Sequence, residues 1–184
     1  MRTNINRMKK SKLFCFILIV AVLLTVSLSL NAQTKHARKF VVSFDRFGSV
    51  KIGMTASQAA KVLGVRVTRD AGYEGGNCYY TSPKRGFKDI AFMMDGRRIA
   101  RIDIDSKEYR TDRGAKIGDS EARIKRLYKG MYKVYQHKYV DDAHYIEVEM
   151  KGGKYSIIFE TDGKHVVTYR VGKPEQVGYV EGCS

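Results

Sequence analysis

DIAFMMDGRRIARIDID, residues 89–105, is the stretch that decides the fold class. Two strand-like runs, 89–94 and 97–105, flank Asp95-Gly96, a dipeptide suited to the positive-φ turn of a two-residue hairpin. KYSIIFETDGKHVVTYRV, residues 154–171, repeats the plan around Asp162-Gly163. At an offset of 67, Ile90, Phe92, Ala100, Ile102 and Ile104 correspond to Ile157, Phe159, Val167, Tyr169 and Val171. Strand side chains alternate with period two, so each set is expected on one buried face. Arg101, Asp103 and Asp105, or Thr168 and Arg170, then fall on the opposite face, expected to be solvated. Further strands are expected at 77–82, 132–140 and 144–150.

Each hairpin is preceded by a helix signal. VKIGMTASQAAKVLG (50–64) and AKIGDSEARIKRLYKG (115–130) share Lys-Ile-Gly at an offset of 65. Thr55 and Gln58 have the spacing of a capping box, in which the Thr hydroxyl accepts from the N3 amide and Gln reaches back to the cap. Ala59, Val62 and Leu63 form the expected buried stripe, and Gly64 the left-handed stop. In the second copy Ser120 caps, Arg123 forfeits the reciprocal bond, and Ile124, Leu127 and Tyr128 face inward. The fold class read from this pattern is α+β: two repeated units, each a short helix followed by an antiparallel meander, together one domain. The divisions are a signal peptide at 1–32, an N-terminal segment at 33–46, repeats at 47–110 and 111–177, and a tail at 178–184.

Residues 1–32 carry Arg2, Arg7, Lys9, Lys10 and Lys12, then the unbroken apolar run Leu13 to Leu24, then small and polar residues up to Ala32. Basic, apolar, small is the order of a secretory signal, and twelve apolar residues are short for a bilayer span; an uncleaved anchor is the alternative. Without those five basic residues, 29 of the 34 Lys+Arg remain against 19 Asp+Glu, a formal charge of +10. Outside the cytoplasm that charge points to an envelope or secreted protein, or to an anionic envelope polymer, rather than to nucleic acid. Of the three cysteines, Cys78 and Cys183 survive leader removal. An even pair in an oxidising compartment reads as a disulfide. It would tie the tail to the first unit across a long loop, for which chain entropy gives about 4–5 kcal/mol.

The two Lys-Ile-Gly-x-Thr/Ser helix starts, each leading into a short helix and antiparallel hairpins, resemble the tandem units of the β-lactamase inhibitor protein family. Gly53-Met54-Thr55 is also similar to the helix start of the single unit in BamE-type (SmpA/OmlA) envelope proteins. Tyr179-Val180-Glu181-Gly182-Cys183 with Cys78-Tyr79-Tyr80 resembles a group of uncharacterised secreted bacterial proteins. The likeness covers most of 47–183 and implies a fold rather than an activity. The chain lacks the lipobox of the BamE type, and no inhibitor contact residue carries over position by position.

All twelve tyrosines lie after residue 72. Tyr135, His137 and Tyr139 would share one strand face, and Tyr79 and Tyr80 adjoin Lys84 and Arg85 in a loop. Tyrosine offers large contact area at small entropic loss and is enriched with arginine at interfaces, so these seven form the candidate binding face; the alternative is that individual rings are core. His137, Asp141, Asp142 and His144 invite a metal reading, but a hairpin turn with flanking histidines is the favoured one. Asp103, Asp105 and Glu108 lack the glycine and terminal glutamate of a calcium loop. No Gly-x-Ser-x-Gly or His-Glu-x-x-His context occurs. The expected function is therefore a non-enzymatic exported binding protein without cofactor or metal, one form being an inhibitor of an envelope or secreted enzyme. An outer-envelope assembly accessory is the alternative, and a small hydrolase a third reading.

Overall fold

The structure, a computed structural model, describes residues 40–71 and 76–183. The expected leader at 1–32 lies outside the described residues. The architecture is α+β, with antiparallel sheets and few helices. Two-residue strands β1 (Val42–Ser43), β2 (Arg46–Phe47) and β3 (Val50–Lys51) form a small sheet. Helix α1 (Ala56–Leu63) follows, then β4 (Val67–Arg69), β5 (Cys78–Pro83), β6 (Ile90–Asp95) and β7 (Arg98–Ile104). Helix α2 (Glu121–Leu127) precedes β8 (Tyr132–Gln136), β9 (His144–Glu149), β10 (Ser156–Thr161) and β11 (Val166–Gly172), and a short helix α3 (Pro174–Gly178) comes last. The large sheet has eight strands in the order β4-β5-β6-β7-β11-β10-β9-β8, every neighbouring pair antiparallel.

Local chemistry sets the helix ends. Thr55 Oγ1 accepts from the Gln58 amide and Gln58 Oε1 from the Thr55 amide, so the capping box is complete. Gly64 stops α1 in the left-handed region at φ +71°. Ser120 caps α2 alone, without the reciprocal bond.

One sheet face packs on α1, α2 and the small sheet. A row of directly paired residues, Phe92, Ile102, Val171, Ile157 and Val148, crosses five strands, every member with no exposed surface. A second row, Ile90, Ile104, Tyr169, Phe159 and Ile146, runs beside it. Ala59, Ile124 and Tyr128 close this core from the helices, and Phe47 and Tyr109 from the side.

Three expectations are corrected. Ile99 and Val166, rather than Ala100 and Val167, join the main core, and Val167 is exposed. The cause is a bulge in each hairpin: Met93 pairs with Arg101 but Met94 with Ile99, and Glu160 pairs with Thr168 but Thr161 with Val166. One inserted residue moves everything beyond it to the other face. Val62 is exposed, so the inward stripe of α1 is narrower than expected. The face expected to be solvated is so only in part: Asp105 is exposed and Asp103 and Thr168 are half-buried, but Arg101 and Arg170 are buried, because α3 and the tail lie over them.

Candidate functional site

The covered face is held by directed bonds. Arg101 spends all five N–H donors. Nε and Nη2 meet the Asp103 carboxylate at 3.0 and 2.9 Å, Nη2 also donates to Tyr80 Oη, and Nη1 donates to the carbonyls of Gln176 and Tyr179 at 2.8 and 2.7 Å. Arg170 Nε donates to the Val177 carbonyl at 2.7 Å and its Nη1 to Glu160 at 3.0 Å. Two guanidinium groups thus satisfy the carbonyls at the C-terminal end of α3, where a helix leaves acceptors unpaired and favours positive charge. Burial pushes the Asp103 carboxyl up, against the pull of Arg101. Tyr145, Ile158 and Val177 supply a small apolar cluster under this cover.

Beyond α3 the tail runs to the start of β5 and closes the Cys78–Cys183 disulfide, whose Cα atoms are 5.4 Å apart across 105 residues of sequence. Gly182 (φ +73°) allows close passage: a Cβ there would stand 2.8 Å from Tyr80 Oη. Lys138 and Tyr139 both bond Glu181 from the other side.

The seven residues of the expected face are dispersed. Tyr80 reaches the covered face through Arg101, whereas Tyr79 packs on the main core with the Arg69 guanidinium 4.2 Å from its ring centre. Lys84 and Arg85 are exposed in the loop after β5, near the β4 edge. Tyr135, His137 and Tyr139 do gather around β8, but His137 lies past its end and turns inward. Its ring stacks on Tyr145 at 4.6 Å, its Nδ1 accepts from the Tyr139 amide, and its Nε2–H therefore donates to Glu160 Oε1 at 3.1 Å.

His144 is drawn elsewhere, to Glu121. Glu121 Oε1 meets His144 Nδ1 and Thr161 Oγ1, each at 2.7 Å, and its Oε2 pairs with Lys125 at 2.9 Å. Burial raises the Glu121 carboxyl, but bonds from Thr161, Lys125 and His144 outweigh it and the net direction is down. A carboxylate-oriented imidazole is half of a general-base pair. The adjacent hydroxyl, Thr161, is already spent: it donates to Glu121 and accepts from the amides of His144 and Gly163. The two histidines of the metal reading thus belong to separate clusters, and no group of three or more His, Cys, Asp or Glu among the described residues is placed to hold a metal ion.

The remaining feature is the β8 edge. The bonds from Glu149 N–H to the Met131 carbonyl and from His137 N–H to the Ala143 carbonyl bracket the β8–β9 ladder. Antiparallel pairs alternate, so Lys133 and Tyr135 bond inward to β9, while the backbone groups of Tyr132, Val134 and Gln136 point outward. Tyr132 and Val134 extend the two core rows to the edge, at 37% and 40% exposure. Six of the nine large exposed hydrophobic residues among those described lie between 132 and 150. An open concavity of about 540 Å³ adjoins the start of this strand, between 130–133 and 149–153.

Comparison with known proteins adds a structural neighbour. No family model and no curated protein matches the chain. The crystal structure of the uncharacterized protein yfeY from Escherichia coli is similar at a TM-score of 0.48 and 18% identity, over 72% of this chain and 99% of that one.

Tyr132 and Val134 escaped the sequence reading. The signal was present: Val134 and Ile146 are both apolar on strands that must pair, yet only one of those strands has a second neighbour. Which strand ends the sheet is a property of topology, and YKVYQ does not state it.

Proposed function

We propose that the protein is an exported, non-enzymatic binding protein of the cell envelope or exterior, and that it takes an extended segment of a partner protein along the open edge of β8. The observation that carries this reading is the coincidence of outward backbone groups at Tyr132, Val134 and Gln136 with apolar rows that continue into solvent. Strand addition uses both: main-chain bonds supply affinity, and side chains on alternate positions supply selectivity. An edge this apolar is otherwise an aggregation hazard, which natural sheets avoid by charge, proline or cover.

Export is supported by the basic-apolar-small order of residues 1–32 and by the Cys78–Cys183 disulfide, a bond that persists in oxidising compartments. No helix among the described residues is long and apolar enough to cross a membrane. We further read the fold as a duplicated unit, α1 with β4–β7 and α2 with β8–β11, meeting where β7 pairs with β11. The supporting detail is that the two bulge residues, Ala100 and Val167, differ by the same 67 positions as the hairpins themselves. A tandem inhibitor-like module of this kind would present its second unit's edge to a partner.

Val134→Pro is the discriminating variant. The Val134 N–H points away from β9, so proline there removes an outward donor without breaking the ladder. Native material should yield a partner cross-linked to a photoreactive residue at position 132 in the parent protein, lost in the Val134→Pro protein with its disulfide intact and its melting temperature nearly unchanged. Equal cross-linking in both proteins would overturn the strand-addition reading. A cross-linked second copy would turn it into self-association.

A further inference from the structure

The opposite edge of the sheet has a different chemistry. Beside β4, an open concavity of about 530 Å³ is lined by Gly64, Val65, Arg66, Thr68, Lys84 and Arg85. Three of the six residues are cationic and none is acidic. No carboxylate among the described residues stands within ion-pair distance of Arg66, Lys84 or Arg85. Asp70, at the end of the same strand, already accepts from Ser82 Oγ at 2.7 Å. The backbone fixes the spacing of the cations, because the Lys84 amide donates to the Arg66 carbonyl at 3.0 Å and so holds the two residues opposite each other.

A second observation concerns a neutral group. Thr68 Oγ1 is buried and has no hydrogen-bond partner, although Thr68 lines this same concavity. Buried hydroxyl groups are ordinarily satisfied, and one left without a partner beside three unpaired cations is a donor in want of an acceptor. The nearby C-terminal end of α1 works against an anion, but a helix end is worth only about 0.3–1 kcal/mol and Lys61 in its last turn already offsets it.

We propose that this concavity is an anion site for phosphate groups, either on a soluble envelope polymer or on lipid headgroups. A carboxylate would leave most of the positive charge unmatched. A phosphate group has the oxygens to take arginine forks, a lysine and a hydroxyl together, and arginine geometry suits it. The site lies at the other end of the strand order from β8, so the protein could hold a phosphate-bearing surface at one edge and a partner strand at the other.

The test uses the purified disulfide-bonded protein with two probes. Short-chain polyphosphate is titrated calorimetrically at low salt, and phosphatidylcholine vesicles with and without phosphatidylglycerol are used in flotation. Arg66→Gln/Lys84→Gln/Arg85→Gln should weaken whichever probe binds by about tenfold, and Thr68→Val by a few-fold with little change in salt dependence. Lys107→Gln/Lys116→Gln/Lys129→Gln removes the same charge from exposed positions elsewhere and should change binding by less than about twofold. Binding of polyphosphate alone assigns the site to a soluble polymer, and binding of anionic vesicles alone to headgroups. If neither probe binds, or if both triple variants lose affinity equally, the site does not exist. The Val134→Pro protein should bind both probes like the parent, which separates this outcome from the fate of the β8 reading.

Discussion

On one face of the eight-stranded sheet, Phe92, Ile102, Phe159 and Val171 belong to the apolar core under two helices; on the other face of the same strands, Arg101 and Arg170, each paired with a carboxylate of Asp103 or Glu160, meet α3 through aimed hydrogen bonds. The first face is stabilised by area removed from water and tolerates small shifts of the helices. The second depends on geometry. Its guanidinium groups are buried, so a guanidinium that loses a bond has little water to replace the partner. Alternation within a strand therefore separates two kinds of adhesion, as well as inside from outside.

The comparison is tested most severely by Phe159→Ala. Phe159 has no exposed surface and lies between the rings of Tyr128 and Tyr169, at 5.6 and 5.5 Å. Truncation should lower unfolding stability by about 3–5 kcal/mol, and the eight-stranded sheet should still melt in one transition. Two transitions in calorimetry would mean that the helix-covered face does not unify the fold.

Arg101→Ala comes next, at about 3 kcal/mol, the lower end for a broken buried pair because water still reaches Asp103. Its signature should be local. Amide exchange should accelerate across 174–183 well before the core strands respond, since the carbonyls of Gln176 and Tyr179 lose their donor while the disulfide keeps the tail tethered. Adding Asp103→Leu to Arg101→Met should recover part of the loss, because two apolar groups leave no orphaned charge. Unchanged exchange in Arg101→Ala would show that the disulfide and the bonds from Arg170, Lys138 and Tyr139 hold the segment without Arg101.

The same contrast explains what could be read from the residues. The helix-covered face was legible, because Ile102 and Ile104 alternate with Arg101, Asp103 and Asp105, Ile90 and Phe92 stand two apart in the run that pairs with them, and Asp-Gly marks both turns. The bulges at Ala100 and Val167 were not, since an inserted residue leaves no mark in hydropathy. Arg101 and Asp103 read as solvent-facing because nothing within the strand reports that a helix from far down the chain covers them. Pro174 did offer a clue, as proline favours the first turn of a helix, but a five-residue helix gives little periodicity to support it. For the candidate site, the sequence pointed to Tyr135 and Tyr139, which lie on β8 and just past its end. The β8 edge itself was not, because an edge is defined by the missing neighbour.

Glu121→Gln sharpens the comparison from the other direction, since Glu121 brings directed bonds to the helix-covered face. Its carboxyl is held below the ordinary glutamate range: burial pushes it up, and the bonds from Thr161, Lys125 and His144 pull it further down. A folded-state value lower than the unfolded one means that the contribution is fully present above the unfolded value and is lost as pH falls through the folded value. The variant should therefore be less stable than the parent by about 1–2 kcal/mol near neutrality. Denaturant melts repeated towards acid should show that gap narrowing once pH drops below the ordinary glutamate range, and closing when the carboxyl is protonated in both states. A gap that persists undiminished at acid pH would assign the effect to shape rather than charge, and would return this cluster to the non-directional adhesion of the face it sits on.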